Sequence, residues 1–241
     1  MESVIQRTSI SQQVMNHILN LVERGELHPG DHLPPEREFA ASLGISRVPL
    51  REAVSALCVI GVLDKRQGSG TTVAHFSPET LGRILRTYTM LDNTLSGNLF
   101  EARMAVEATA ARLAAQNATR SDVEALVRHI GEMEDAIPAY VRGEKRLADM
   151  LALDDRFHLQ CAAASHNQFY IQFVNIVHTA GTDLGLYEAV YGSDREKYYE
   201  SAADHRKVLD AIAAKDGRGA EEAMEAHIRA IRANTEGGKT V

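Results

Sequence analysis

Residues 44–53 have the sequence Gly-Ile-Ser-Arg-Val-Pro-Leu-Arg-Glu-Ala, which decides the fold of the first third of the chain. Gly44 directly follows an apolar stretch, at a place where a left-handed helix C-cap is expected. Ser46 then suits the N-cap of the next helix, and Pro49 suits its first turn. Two helices joined by so short a glycine-containing turn predict a helix-turn-helix.

The segments on either side of this turn extend the unit. Apolar residues recur at helical spacing over about 9–24, which predicts an amphipathic first helix. A short second helix is expected over 36–43, because the Pro34-Pro35 pair suits its entrance. After the third helix, two short β runs enclose the basic, glycine-rich segment 65–70 and predict a β-hairpin. A hairpin at this position is the wing of a winged helix-turn-helix.

The charge of the chain is unevenly distributed. Its net charge of −7 alone argues against nucleic acid. Residues 1–76 have 7 Lys and Arg against 8 Asp and Glu, whereas residues 77–241 have 19 against 25. Within 37–70 the balance is positive, with 5 basic residues against 3 acidic ones. Phosphate contact requires only a local basic face, so this segment remains a candidate for DNA binding.

The third helix is expected to enter the major groove of DNA by its N-terminus. Arg47 in its first turn and Arg51 one turn later project from one side, and arginine can bind guanine O6 and N7 together. Ser46 can contact phosphate at the helix N-terminus. The other candidates for DNA contact are Arg37 on the second helix and Lys65, Arg66 and Gly68 of the wing. The alternative from these residues alone is a small interaction module with solvated arginines.

Four segments together resemble the signature of the GntR family of bacterial regulators. They are 30–40 (GDHLPPEREFA), 44–53 (GISRVPLREA), 61–63 (GVL) and 68–73 (GSGTTV). The resemblance implies that Arg37, Arg47, Arg51 and the wing glycine region contact DNA. Pro35 stands where the family usually has Ser or Thr, so the second helix has a weaker N-cap, but no DNA-contacting arginine is affected.

The remainder of the chain has a helical pattern. Residues 75–78 predict a domain junction, so we divide the chain into a DNA-binding domain, 1–76, and a second domain, 77–241. Helices are expected over 79–92, 98–116, 121–136, 144–164, 168–190, 195–214 and 217–234. Thr119 and Asp122 form a capping box, and Pro138 is expected to separate two helices. The predicted fold class is mainly α, a winged helix-turn-helix followed by an all-α antiparallel bundle.

Four residues of the second domain have the chemistry of a metal site. Asp154 and His158 are four residues apart, and therefore lie on one face of a helix. His205 and His227 lie on the apolar stripes of two later helices, so both imidazoles should point into the bundle. Three imidazoles and one carboxylate are a donor set for a divalent transition metal.

The residues alone leave this choice of ligands open. His129 and His178 also lie near apolar faces, and a buried histidine is more often a core residue with a hydrogen-bond partner than a metal ligand. Cys161 is another possible soft ligand, although we interpret it, like Cys58, as a small buried hydrophobe.

A second resemblance narrows the choice. The segments 154–158 (DDRFH), 204–212 (DHRKVLDAI) and 224–228 (MEAHI) look like the FadR-type C-terminal domain, called FCD. The resemblance implies a metal held by Asp154, His158, His205 and His227, with zinc expected first and nickel, manganese or iron as alternatives. It also places Arg103 in an effector pocket, where its guanidinium could bind a ligand carboxylate. The alternative for Arg103 is a surface pair with Glu107, four residues on.

The expected function is a sequence-specific DNA-binding regulator, a repressor, which acts as a homodimer on a short palindrome. Its effector is expected to be a small carboxylate or sugar acid. The alternatives are a regulator for which the metal ion is itself the signal, and a metal-dependent enzyme, which the DNA-binding segment disfavours. The chain shows no membrane span or signal peptide pattern, and its two cysteines suit a reducing compartment, so we expect it in the bacterial cytoplasm, at the nucleoid.

Overall fold

A computed structural model describes residues 8–91, 95–192 and 194–237, which form two compact units divided between Leu81 and Gly82. The first unit contains the helices α1 (Ile10–Glu23), α2 (Glu36–Ser42) and α3 (Arg47–Val59), then the strands β1 (Leu63–Arg66) and β2 (Gly70–Val73). The two strands pair antiparallel, with Leu63 opposite Val73 and Arg66 opposite Gly70. This is the expected winged helix-turn-helix.

The turn between α2 and α3 has the predicted chemistry. Gly44 has a φ of +66°, a left-handed conformation that glycine adopts without steric cost. Ser46 is the extended N-cap residue of α3, although its hydroxyl makes no capping hydrogen bond. Pro35 leaves α2 without a side-chain cap, as its sequence predicts.

One apolar core holds the first unit together. It contains Val14, Ile18, Leu33, Phe39, Ala40, Leu50, Ala53, Val54, Leu57, Leu63 and Val73. Ile18 of α1 and the α3 residues Leu50 and Leu57 are completely buried, so α1 supports α3 from the side opposite its charged residues. Burial of this kind stabilises each such side chain by about 1.5–3 kcal/mol.

The second unit is helical throughout its described residues, apart from turns. Its helices are α4 (Pro78–Leu91, which begins in the first unit), α5 (Leu95–Asn117), α6 (Arg120–Val141), α7 (Leu147–Ala164), α8 (Gln168–Asp183), α9 (Leu186–Tyr191), α10 (Lys197–Ala213) and α11 (Gly217–Gly237). The capping box of Thr119 and Asp122 is present at the start of α6. The chain passes from the first unit to the second slightly later than the predicted domain division at 76/77, within α4. The predicted division itself stays a prediction.

Two details of the predicted helices were wrong. Pro138 does not separate helices but lies inside α6, which continues to Val141. A proline removes one backbone hydrogen bond, and here the helix ends within a turn, so few further bonds are affected. The segment 168–190 is two helices rather than one, because the chain turns at Gly185, whose φ is +66°.

Helix α5 lies at the centre of the bundle and packs against α7, α8, α10 and α11. Its buried alanines, Ala108, Ala110, Ala111, Ala114 and Ala115, allow the neighbouring helices to approach closely. The inward faces of α5, α7, α10 and α11 also carry polar side chains, which meet in the interior. No helix of the described residues is long and apolar enough to cross a membrane.

Candidate metal centre and nucleic-acid interface

The structure brings the four predicted metal ligands together. Asp154 and His158 of α7, His205 of α10 and His227 of α11 are all at most 2% exposed. Each offers one ligand atom, and these four atoms lie within 4.8 Å of one another. The i,i+4 spacing on α7 places two of the donors on one face, and the apolar stripes of α10 and α11 turn the other two inward.

The distances show how closely the donors converge. Nε2 of His205 lies 3.1 Å from Nε2 of His227 and 3.6 Å from Oδ1 of Asp154. Nε2 of His158 lies 3.8 Å from Oδ2 of Asp154. Side chains of three separate helices therefore direct their lone-pair-bearing atoms at a common point.

Neighbouring side chains fix the orientation of these donors. Phe157 stacks on the His205 ring, with 3.9 Å between the ring centroids. Ser201 Oγ donates a hydrogen bond to Asp154 Oδ1 at 3.3 Å. Asp204 Oδ2 lies 3.8 Å from Nδ1 of His227, on the side of the ring away from the cluster. Outer partners of this kind set the tautomer of a ligating histidine.

Burial also shifts the pKa values of the candidate metal ligands. It lowers the pKa of His158 and of His205 well below the usual value, so both imidazoles are neutral and keep a lone pair. It raises the pKa of Asp154, which lacks a full compensating charge. A divalent cation would favour the ionised carboxylate and the neutral imidazoles together. The donor set therefore fits a transition-metal ion.

A small pocket between α9, α10 and α11 borders this cluster. His227, Asp204 and Ser201 contribute to its wall. The pocket thus borders one ligand and two of the residues that support the ligands, although His227 itself is only 1% exposed.

Arg103 lies beside the metal cluster and is 1% exposed. Its Nε donates to Glu107 Oε1 at 2.5 Å, and Nη1 donates to the Tyr187 hydroxyl at 2.8 Å. Nη2 lies 3.3 Å from Nε2 of His158. The ion pair between Arg103 and Glu107 that the sequence analysis considered is therefore present, but it is buried and not on the surface. It lies next to His158, a predicted metal ligand.

Sequence reasoning missed a second cluster, formed by Glu107, His158 and His178. Glu107 and His178 are each 2% exposed. Burial alone would raise the pKa of Glu107, but Arg103, His158 and His178 hold it well below the usual value. Burial and Arg103 would lower the pKa of His178, yet Glu107 and Asp155 raise it to about 9. Within this cluster Glu107 and His178 are therefore an ionised pair, whereas His158 is neutral.

Two other candidates lie outside both clusters. His129 is buried, and its Nε2 lies 2.7 Å from the carbonyl oxygen of Leu153. Cys161 is 1% exposed within the apolar core, where burial raises the pKa of its thiol. Both are core residues in this structure, which is how the sequence analysis interpreted the cysteine.

The seven predicted DNA-contacting residues are all exposed in the first unit: Arg37, Ser46, Arg47, Arg51, Lys65, Arg66 and Gly68. Gly68 at the wing tip has a φ of +82°, which favours glycine. Arg66 donates from Nε to Asp64 at 3.0 Å, and its side chain is 79% exposed. The arrangement presents α3 and the wing to solvent.

A carboxylate that the sequence analysis did not single out links three of these residues. Glu36 Oε2 accepts a hydrogen bond from Arg51 Nε at 2.6 Å and lies 3.6 Å from Arg47 Nη2. Glu36 Oε1 accepts from Lys65 Nζ at 2.8 Å. The hydrogen bonds from Lys65 and Arg51 lower the pKa of Glu36 to about 2. The Glu36 carboxylate thus contacts cationic side chains of both α3 and β1.

Comparison with known families covers both units. Residues 10–73 match the family described as bacterial regulatory proteins, gntR family, and residues 98–230 match the FCD domain. The chain belongs to the GntR family. It is a transcription regulator with a GntR-type DNA-binding domain and an FCD domain, and its relatives are regulators rather than enzymes.

Individual GntR proteins match along most of their length. A putative L-lactate dehydrogenase operon regulatory protein of Escherichia coli is 32% identical, over 91% of this chain and 83% of the relative. The transcriptional regulator LutR of Bacillus subtilis is 30% identical, over 86% of this chain and 93% of the relative. A solved GntR structure from Streptococcus agalactiae is 28% identical with a TM-score of 0.66, over 92% of this chain and 99% of that one.

Proposed function

We propose that this GntR-family chain is a repressor of the FadR subfamily, and that a small carboxylate or sugar acid controls its binding to DNA. It acts as a homodimer on a short palindromic operator, in the bacterial cytoplasm at the nucleoid. The effector binds at a metal in the FCD domain and releases the DNA. The observation that carries the proposal is the buried convergence of Asp154, His158, His205 and His227 in a chain that also has a DNA-binding domain.

These four residues would hold the ion. Imidazole and carboxylate ligands suit zinc first, and also nickel, manganese or iron. When bound, the ion supplies a positive charge to which a carboxylate oxygen can bind. Arg103, whose Nη2 lies 3.3 Å from His158 Nε2, adds a second positive group on the same side. A guanidinium beside a metal is suited to a small carboxylate, because it forms paired charge-assisted hydrogen bonds.

Glu107 restricts what Arg103 can bind. It already accepts the Nε hydrogen bond, so a ligand carboxylate must bind through the Nη atoms or displace Glu107. A ligand with a single small carboxylate group therefore suits Arg103 better than a bulky polyanion. The Escherichia coli relative is named as a regulator of an L-lactate dehydrogenase operon, and lactate is a small carboxylate. That name supports a small carboxylate as the effector.

Ligand binding can change DNA affinity only as far as the ligand binds one arrangement of the dimer more tightly than the other. The FCD resemblance suggests that the ligand favours the arrangement with lower DNA affinity. We therefore propose that the ligand-free protein binds DNA and represses, and that the bound ligand releases it from DNA.

Thermal unfolding tests the ligand and the metal together. Zinc-loaded and chelator-stripped protein are heated with L-lactate and with a panel of other small hydroxy acids and sugar acids. A ligand at about 100 times its Kd should stabilise the folded protein by about 2.7 kcal/mol, and only in the zinc-loaded form. Stabilisation that survives stripping would remove the metal from effector binding. A large shift from metal alone, with none from any acid, would favour the metal ion as the signal.

A further inference from the structure

We propose that Glu107, which is outside the ligand set, positions His158 for metal binding by accepting a hydrogen bond from its Nδ1–H. The inference rests on the metal site of the proposed function and gives a role there to a residue of a different helix. Glu107 is 2% exposed, and a buried carboxylate without partners would be strongly unfavourable. The arrangement of its partners therefore indicates what it does.

The two ring nitrogens of His158 face different groups. Nε2 lies 3.8 Å from Asp154 Oδ2 and 3.3 Å from Arg103 Nη2, whereas Nδ1 lies 2.5 Å from Glu107 Oε2. Among the described residues, neither Nδ1 nor Oε2 has a regular hydrogen bond to any group, so each is the nearest polar partner of the other. Their 2.5 Å separation places the ring nitrogen directly against the carboxylate oxygen.

This contact selects one tautomer of His158. A neutral imidazole carries one N–H, and the other nitrogen keeps the lone pair. A carboxylate beside Nδ1 favours the proton there and leaves the lone pair on Nε2, which is the nitrogen that faces Asp154. The histidine is thereby fixed in the form that binds a metal from the cluster side.

The other oxygen of Glu107, Oε1, contacts two cationic side chains. Oε1 accepts from Arg103 Nε at 2.5 Å and lies 3.2 Å from His178 Nε2. His178 Nδ1 in turn lies 2.7 Å from Asp155 Oδ1. These contacts hold the carboxylate plane and leave Oε2 directed at His158.

The cluster of Glu107, His158 and His178 is better explained as this support than as a second metal site. Both nitrogens of His178 face carboxylate oxygens, so both carry protons and neither offers a lone pair. The guanidinium of Arg103 already supplies a positive charge next to Glu107. A second divalent ion here would meet two cations and one shared imidazole.

Cobalt binding tests the role of Glu107 with a spectroscopic readout. Glu107→Gln keeps the side-chain size but removes the charge, and Glu101→Gln is the matched control on the same helix, where Glu101 pairs with Arg232 near the surface. We expect Glu107→Gln to weaken Co²⁺ binding by about 10- to 100-fold and to shift the visible Co²⁺ absorption bands. The control should change neither. Wild-type affinity and an unchanged spectrum in Glu107→Gln would overturn the proposal.

The wild-type protein provides a second test, in which a variant serves only to assign the signals. Two-bond ¹H–¹⁵N correlation spectra of zinc-loaded protein, with ¹⁵N-labelled histidine and a His158→Gln variant for assignment, report the tautomer directly. We expect a proton on Nδ1 of His158 and metal on Nε2, and a proton on Nε2 would contradict the role of Glu107. If the wild-type chain bound neither Co²⁺ nor zinc, the metal site of the proposed function would fail first, and this inference with it.

Discussion

The Nε2 atoms of His205 and His227 lie 3.1 Å apart in the buried centre of the second unit, although the two residues are on different helices, 22 positions apart in the sequence. Either one nitrogen donates to the other or both lone pairs face a shared cation. Asp154 Oδ1 lies 3.6 Å from the same His205 nitrogen, which favours the cation. His205 and Asp154 each lie close to two other members of the ligand set.

His205→Ala should abolish or strongly weaken metal retention, because it removes one of four ligands. The DNA-binding domain should remain folded, since His205 belongs to the other unit. Metal content by native mass spectrometry, together with circular dichroism, measures both effects. His129→Ala is the matched control, a buried histidine outside the cluster. Full occupancy in His205→Ala would disprove the proposed ligand set.

Arg47→Ala and Arg51→Ala should each weaken specific DNA binding by about 1–3 kcal/mol, because each removes a potential bidentate contact with guanine. Fluorescence anisotropy on an operator selected from a random DNA library measures the loss. Arg24→Ala, an exposed arginine at the end of α1, should bind like the wild type. If both α3 variants also bound like the wild type, α3 would not be the recognition helix.

Glu36→Gln should reduce sequence discrimination while it strengthens non-specific DNA binding. The carboxylate orients Arg51 and Lys65, and its negative charge opposes phosphate. The ratio of operator affinity to random-sequence affinity should fall by about tenfold. This change corresponds to about 1.4 kcal/mol, which is the size of one base contact. Glu38→Gln, a neighbouring exposed acid on α2, is the control. An unchanged ratio would show that Glu36 does not position the recognition residues.

Arg103→Lys should abolish stabilisation by carboxylates while the metal is retained, because an ammonium cannot form the paired hydrogen bonds of a guanidinium. Thermal unfolding of zinc-loaded protein with and without the acid measures the loss. Arg112→Lys, on the same helix and paired with Glu221 at the surface, should respond like the wild type. A full carboxylate response in Arg103→Lys would exclude this residue from the effector site.

Much of the fold was predictable because its signals are local. Gly44, Ser46 and Pro49 mark the helix-turn-helix by backbone chemistry alone, and periodic apolar residues mark the long helices. The boundary at Gly185 was missed because the apolar pattern continues across it, and only the left-handed backbone shows the turn. The sequence predicts a break at Pro138 because a helix interior usually excludes proline, whereas α6 continues through this residue to Val141.

The candidate site was only partly predictable for a different reason. The histidines of α10 and α11 lie on clear apolar stripes, which indicated that they point inward. Helix α5 has buried residues on several sides, so its pattern has no single inner face, and Glu107 looked like a surface partner of Arg103. Contacts between distant segments, such as His178 with Glu107, have no sequence signal in one chain.

The most direct test of the central claim is operator binding by the zinc-loaded protein as the small hydroxy and sugar acids are titrated, with the selected operator labelled for fluorescence anisotropy. We predict that at least one acid, with L-lactate as the first candidate, lowers operator affinity at least tenfold in the wild type. The same acid should have no effect on the His205→Ala variant or on chelator-stripped protein. If no acid changed operator affinity, or if the change were the same without the metal site, control of DNA binding through this site would be contradicted.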